Sequence, residues 1–202
     1  MSTARDLVII ALDVPSSRPL QQGELSLALA GAELIDLLAD RAVGLDGEDI
    51  VPGHGSATAD RLLDEAASSL VRQAPYESVE EWLWRRGRGL YSAYLAALEA
   101  EGQVTRQRHR WMPVRAGQAV PAESPERDLA ADRWASREPV LAALASAVGI
   151  HEGQSEESPS AGDDAVGTVL AVVQDALREL EAVRQRRAIE DAAFDNVWRG
   201  GL

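Results

Sequence analysis

Cysteine is missing from the 202 residues, which removes disulfide frameworks and thiolate metal sites from consideration. Lysine is missing too: all twenty basic residues are arginine. With the alanine and glycine content, this reads as the coding bias of a GC-rich bacterial genome. Aromatic residues make up only 4%, so leucine, alanine and valine must fill the core, and together they suit helices better than sheets. Long apolar runs are lacking. Val8 to Leu12 is short, preceded by Arg5 and Asp6 and ended by Asp13, unlike the basic start and longer run of a secretory signal. Leu25 to Ala39 is broken by Ser26, Glu33 and Asp36, whereas a bilayer span needs about 20 nearly uninterrupted apolar residues. Neither stretch is expected to cross a membrane.

What remains is 46% hydrophobic with a net charge of −13. The hydrophobic share is enough for one large core, and the acidity argues against general affinity for nucleic acid. Positive charge is nevertheless concentrated. Arg85, Arg86, Arg88, Arg106, Arg108, Arg110 and Arg115 share one window in which Glu99 and Glu101 are the only acids. An acidic protein with one basic island orients itself toward an anionic partner.

Along the chain, residues 3 to 12 read as a short helix with Thr3 as a candidate N-cap. A turn-rich stretch from Asp13 to Gly23 leads to a long helix from Glu24 to about Arg41. Its apolar residues cover nearly the whole circumference, the pattern of a helix buried on most sides. Asp46-Gly47 between short apolar pieces signals a hairpin. Residues 58 to 72 form a further helix with Leu62, Leu63, Ala66, Leu70 and Val71 on one side. Ser78 and Glu81 form a capping box that opens a helix through Trp82 and Trp84, and Gly87 and Gly89 interrupt it. Leu90 to Glu101 is helical and stops at Gly102. Val104 to Arg106 and Arg110 to Val114 read as two strands around a tight turn. Pro125 to Val148 is helical with a break near Pro139, residues 151–164 read as a mobile loop, and a long helix runs from Val166 to about Trp198. The expected architecture is mainly α: one globular domain over residues 1–202, a buried central helix surrounded by amphipathic helices, plus short β-hairpins.

No enzyme signature stands out, and no cofactor is implied. His54, His109 and His151 are scattered over loops or turns without a second ligand at metal spacing. No G-x-S-x-G, P-loop or dinucleotide fingerprint occurs. Acidic pairs such as Asp64-Glu65 and Glu80-Glu81 sit on helix faces where solvated charge is the default. The segment from Trp82 to Tyr91 is the candidate for chemistry. Its Arg85, Arg86 and Arg88 can form bidentate pairs with phosphate oxygens, and tryptophan suits a membrane interface. The plainer reading of the same residues is a core anchor and a solvated helix end favoured by the helix dipole. The following hairpin places Arg106, Arg108 and Arg110 on one strand face, with Trp111 adjacent. It reads either as a dedicated contact with a partner or as an edge guarded by charge. A helix followed by a basic hairpin also imitates a winged helix, which the net charge disfavours.

The ordered set of segments resembles the Golgi phosphoprotein 3 family. It comprises Leu7 to Asp13, Ala28 to Leu38, Val43 to Leu45, Leu62 to Ala66, Val79 to Trp82, Leu98 to Val104 and Pro113, spanning about residues 5 to 137. The resemblance implies a chiefly helical domain around an apolar central helix. It also implies a peripheral, cytoplasmic membrane protein that binds phosphatidylinositol 4-phosphate or another anionic lipid and acts as an adaptor for client membrane proteins. The hairpin is linked to membrane contact and homo-oligomerisation. In the family the headgroup pocket uses a Trp, an Arg in the buried helix and two later Arg. Those positions fall on Gln21, Ala30, Arg88 and Tyr91 here, so one of the four is kept. The resemblance thus predicts lipid or phosphate contact by Arg85, Arg86, Arg88 and Tyr91, and membrane or oligomer contact by Arg106, Arg108, Arg110 and Trp111. The alternative expectation is a helical protein-interaction scaffold that has lost lipid binding.

Overall fold

The computed structural model describes residues 2–16, 18–55, 60–107, 118–151 and 164–199, with side chains as far as residue 191. Among them the elements are α1 Thr3–Asp13, α2 Gln22–Ala39, β1 Val43–Asp46, β2 Asp49–Pro52, α3 Arg61–Ser68, α4 Val79–Arg86, α5 Leu90–Ala100, β3 Val104–Gln107, β4 Gln118–Pro121, α6 Pro125–Ala135, α7 Pro139–Ala147 and α8 Asp164–Arg199. The expected mainly α architecture is what forms.

Its organising element is α2. Every residue from Glu24 to Ile35 is buried, so that stretch has no solvent face, as its all-round apolar pattern predicts. Helices α1, α3, α4, α5, α7 and α8 and strand β1 all pack on it. Gly31 permits a close approach of α8: a Cβ there would lie 2.4 Å from Val173 Cγ2. Leu7, Ile10, Leu34, Leu98, Leu141 and Leu144 complete the core around this axis, all essentially without exposure.

Local signals set most of the boundaries. Asp46 pairs with Asp49 across the hairpin of β1 and β2, and Gly47 takes the left-handed conformation the turn requires, φ +64°. The capping box of α4 is complete: Glu81 N–H donates to Ser78 Oγ at 3.2 Å, and Ser78 N–H donates to Glu81 Oε2 at 3.0 Å. Ser124 caps α6, and Glu138 caps α7 with Pro139 in its first turn, which is why the helical pattern breaks there.

Four expectations need correction. Thr3 is not the cap of α1; its N–H donates to Asp36 Oδ2 of α2 at 2.8 Å, so a distant carboxylate satisfies the helix end. The helix expected over 58–72 spans only Arg61–Ser68, because Asp60 caps it through Leu62 N–H and Leu63 N–H. Its expected apolar side therefore loses Val71, which is 42% exposed. Strand β3 pairs with β4, Val104 opposite Pro121 and Gln107 opposite Gln118, where no strand was expected at 118–121. Residues 108–117, which join them, lie outside the described residues, and so does most of the loop expected at 151–164.

Candidate anion-docking site

The expected site starts at α4, whose sequence alternates inward and outward residues within two turns. Trp82 points in: it is wholly buried and its indole N–H donates to the Ala30 carbonyl of α2 at 3.0 Å. It is a core anchor, so the expectation that it meets a membrane is replaced by the plainer one. Anchoring Trp82 carries Arg85 and Arg86, three and four residues on, to the flanks of the helix.

Both flanking arginines meet internal carboxylates. Arg85 lies 5.1 Å from the Trp82 ring centroid. It donates through Nε and Nη2 to the two oxygens of Glu77 at 2.6 and 2.7 Å. Arg86 donates in the same two-pronged way to Glu33, at 2.7 and 2.8 Å, and to the Leu62 carbonyl at 3.0 Å. Tyr94 donates its hydroxyl to Glu33 Oε1 at 3.0 Å. Burial pushes the Glu33 carboxyl above the usual carboxylate range, and the Arg86 contact only partly offsets this. Arg86 is therefore a structural counter-ion. Arg85 is held by Glu77 but keeps 42% exposure.

Arg88 differs. It is exposed and forms no ion pair among the described residues. Gly87 ends α4 with close packing, since a Cβ there would lie 2.6 Å from the Leu83 carbonyl. Gly89 then turns the chain into α5 with φ +71°. Tyr91 follows, half-buried, with its backbone N–H donating to Ser26 Oγ of α2 at 3.1 Å. Arg88 and Tyr91 thus stand beside the N-terminal half of α2, which begins after exposed Gln21 and contains buried Ala30. Of the hairpin residues, Arg106 donates to Glu99 Oε1 at 2.7 Å, with both partners partly exposed. Arg108, Arg110 and Trp111 lie outside the described residues.

One ionic centre escaped the sequence reading. Glu24, in the first turn of α2, is 2% exposed and is held by Arg18 at 2.6 Å and Arg184 of α8 at 2.5 Å. The signal was an acid inside an otherwise apolar helix, which burial obliges to find a cation. Asp36, nearer the other end of the same helix, accepts from Ser2 Oγ and Thr3 N–H, and burial pushes its carboxyl up to about 6.

Among the described residues no group of three or more acids and histidines is placed to hold a metal ion. None of their helices is long and apolar enough to cross a membrane. A cleft of about 270 Å³ opens between β2 and α3, lined by Ile50, Val51, Ala67 and Leu70 with Asp64 and Arg72 at its margin.

No individually curated protein is similar enough to this chain to register as a relative. The family model for Golgi phosphoprotein 3 (GPP34) matches residues 4–192. That span runs from α1 into the far half of α8, well beyond residue 137, where the resemblance read from motifs stops. The expected family is the observed one: the chain belongs to the Golgi phosphoprotein 3 (GPP34) family.

Proposed function

We propose that this chain is a non-catalytic peripheral protein that docks on anionic lipid headgroups and serves as an adaptor. Arg88 and Tyr91 form the contact, and the arginines of the β3–β4 hairpin supply general attraction. Family membership supports the reading. The observation that carries it is Arg88, an exposed arginine without an ion pair among the described residues, at the position where the family resemblance places a headgroup contact. A basic residue at an anionic surface contributes about 1 kcal/mol. A single arginine therefore holds the protein weakly, and the acidic remainder leaves only one orientation favourable.

The test is flotation with phosphatidylcholine vesicles, with and without phosphatidylserine, phosphatidylglycerol or a phosphoinositide, at low ionic strength. Binding should need the anionic lipid and fall about 30-fold for Arg88→Glu, a change of about 2 kcal/mol. No flotation with any anionic lipid at low salt removes the reading.

A second reading, a scaffold that kept the fold without the lipid site, is favoured by Arg85 and Arg86 being engaged by Glu77 and Glu33. Under it, Arg88→Glu leaves capture of a protein partner unchanged.

A further inference from the structure

The cleft between β2 and α3 is separate from the docking residues: neither Arg88 nor Tyr91 lines it. Its volume of about 270 Å³ falls just short of the roughly 300 to 1,000 Å³ of sites for drug-sized ligands. Its walls are aliphatic. Val43 and Ile50 are buried, Val51, Ala67 and Leu70 are half-buried, and Val71 is 42% exposed. None of the described lining residues is aromatic, so a nucleobase would find no ring to stack on.

The edge beyond β2 is fixed by its backbone. Gly53 N–H donates to the Ala42 carbonyl at 2.9 Å, and Gly55 N–H to the Arg41 carbonyl at 2.7 Å. A Cβ at Gly53 would lie 2.2 Å from the Arg41 carbonyl oxygen, and one at Gly55 2.3 Å from that of Asp40. Only glycine permits this approach, so the chain from Pro52 to Gly55 is a built edge of the cleft.

The opposite wall carries two charges of opposite sign. Asp64 and Arg72 both line the cleft, and neither forms an ion pair among the described residues. Arg72 Nη2 lies 3.5 Å from the Ala67 carbonyl oxygen, and Ala67 stands about 4.5 Å further along α3 than Asp64. The guanidinium and the carboxylate therefore flank one opening with about a helical turn between them. A purely anionic ligand would meet Asp64, and a purely cationic one Arg72. A molecule with both charges beside an aliphatic group matches every surface of the cleft.

We propose that this cleft binds a free aliphatic α-amino acid. Its ammonium donates to Asp64, its carboxylate accepts from Arg72, and its side chain rests on Val51, Ala67 and Leu70. Both charges sit on one carbon, which suits their close spacing along α3, and the branched side chain suits a cleft below drug-sized volume. Pairs at a partly exposed rim are weak, so the dissociation constant belongs at about 0.1 to 1 mM.

The test is titration of the isotope-labelled full chain with L-leucine, followed by its amide chemical shifts. The amides of Val51, Gly53, Ala67 and Leu70 should move saturably. Asp64→Asn and Arg72→Gln should each weaken binding about 10-fold, with the rest of the spectrum as in wild type. Glycine, which lacks the side chain, and N-acetyl-leucinamide, which lacks both charges, should each bind about 10-fold more weakly or not at all. No saturable shift with leucine, or shifts centred outside the cleft, overturns the proposal. So does binding that either substitution leaves unchanged. Glycine or capped leucine binding as tightly as leucine overturns it too, the capped form marking a peptide site instead. Vesicle flotation of both variants should match wild type, which separates this result from the lipid reading.

Discussion

Arg86 of α4 and Glu33 of α2 meet in a two-pronged ion pair, 2.7 and 2.8 Å, around a carboxylate with no solvent exposure. The pair fastens the helix that carries the expected docking residues to the central axis of the fold. Arg86→Ala leaves Glu33 uncompensated and should cost about 3 to 5 kcal/mol in urea denaturation. Replacing both, as Arg86→Met with Glu33→Leu, should restore most of that stability. A single substitution that costs less than about 1 kcal/mol would show that the pair is not holding the helix.

The neighbouring arginines separate by stability. Arg85→Ala loses a partly exposed pair and a ring contact and should cost about 1 kcal/mol or less. Arg88→Ala removes an exposed side chain that forms no ion pair among the described residues, and should stay within about 0.5 kcal/mol of wild type. Thermal melting of the two variants distinguishes them, and only Arg88 is expected to matter for vesicle binding.

At Gly31 the side chain of Val173 from α8 fills the space a Cβ on α2 would need. Alanine there gains about 1 kcal/mol of helix propensity but forces Val173 aside, at about 1 to 3 kcal/mol. Gly31→Ala should therefore be neutral to moderately destabilising, and Gly31→Ala with Val173→Ala should recover the overpacking share. Failure of the second substitution to recover anything, measured by denaturant midpoint, would mean that α8 shifts freely.

Asp36 gives the protein a pH dependence of definite sign. Its carboxyl titrates near 6 in the folded chain, against an ordinary 3.8, so the folded state holds the proton more tightly. The stability it contributes is full below about pH 4 and is lost as pH rises through about 6. The loss is up to about 3 kcal/mol if the whole shift is expressed. Asp36→Asn should flatten the stability curve over that window; an unchanged curve would assign the dependence to Glu33 or Asp6, whose carboxyls burial also raises.

The fold was legible where a short window contains its own cause. The all-round apolar face of α2, the Ser78 and Glu81 box, the Asp46-Gly47 turn and the break before Pro139 each depend on residues within one or two turns. The site was not legible in the same way. The partner of Arg86 lies in α2, fifty-three residues earlier, and no local pattern distinguishes that arginine from solvent-facing Arg88. What the sequence did contain was Glu24 and Glu33 inside an apolar helix, two acids that burial requires to be matched. Searching for their counter-ions would have withdrawn Arg86 from the list of free cations.

The matching of Glu24 by Arg184, 160 positions away, ties the order of synthesis to the order of folding. A growing chain holds α2 complete long before α8 emerges. Until then the seam along Gly31 lies open and Glu24 lacks its second guanidinium. The part of α2 that α8 covers therefore has no cover from that helix until α8 itself is made. Shortening the chain ahead of Arg184 should leave a sticky, protease-sensitive intermediate.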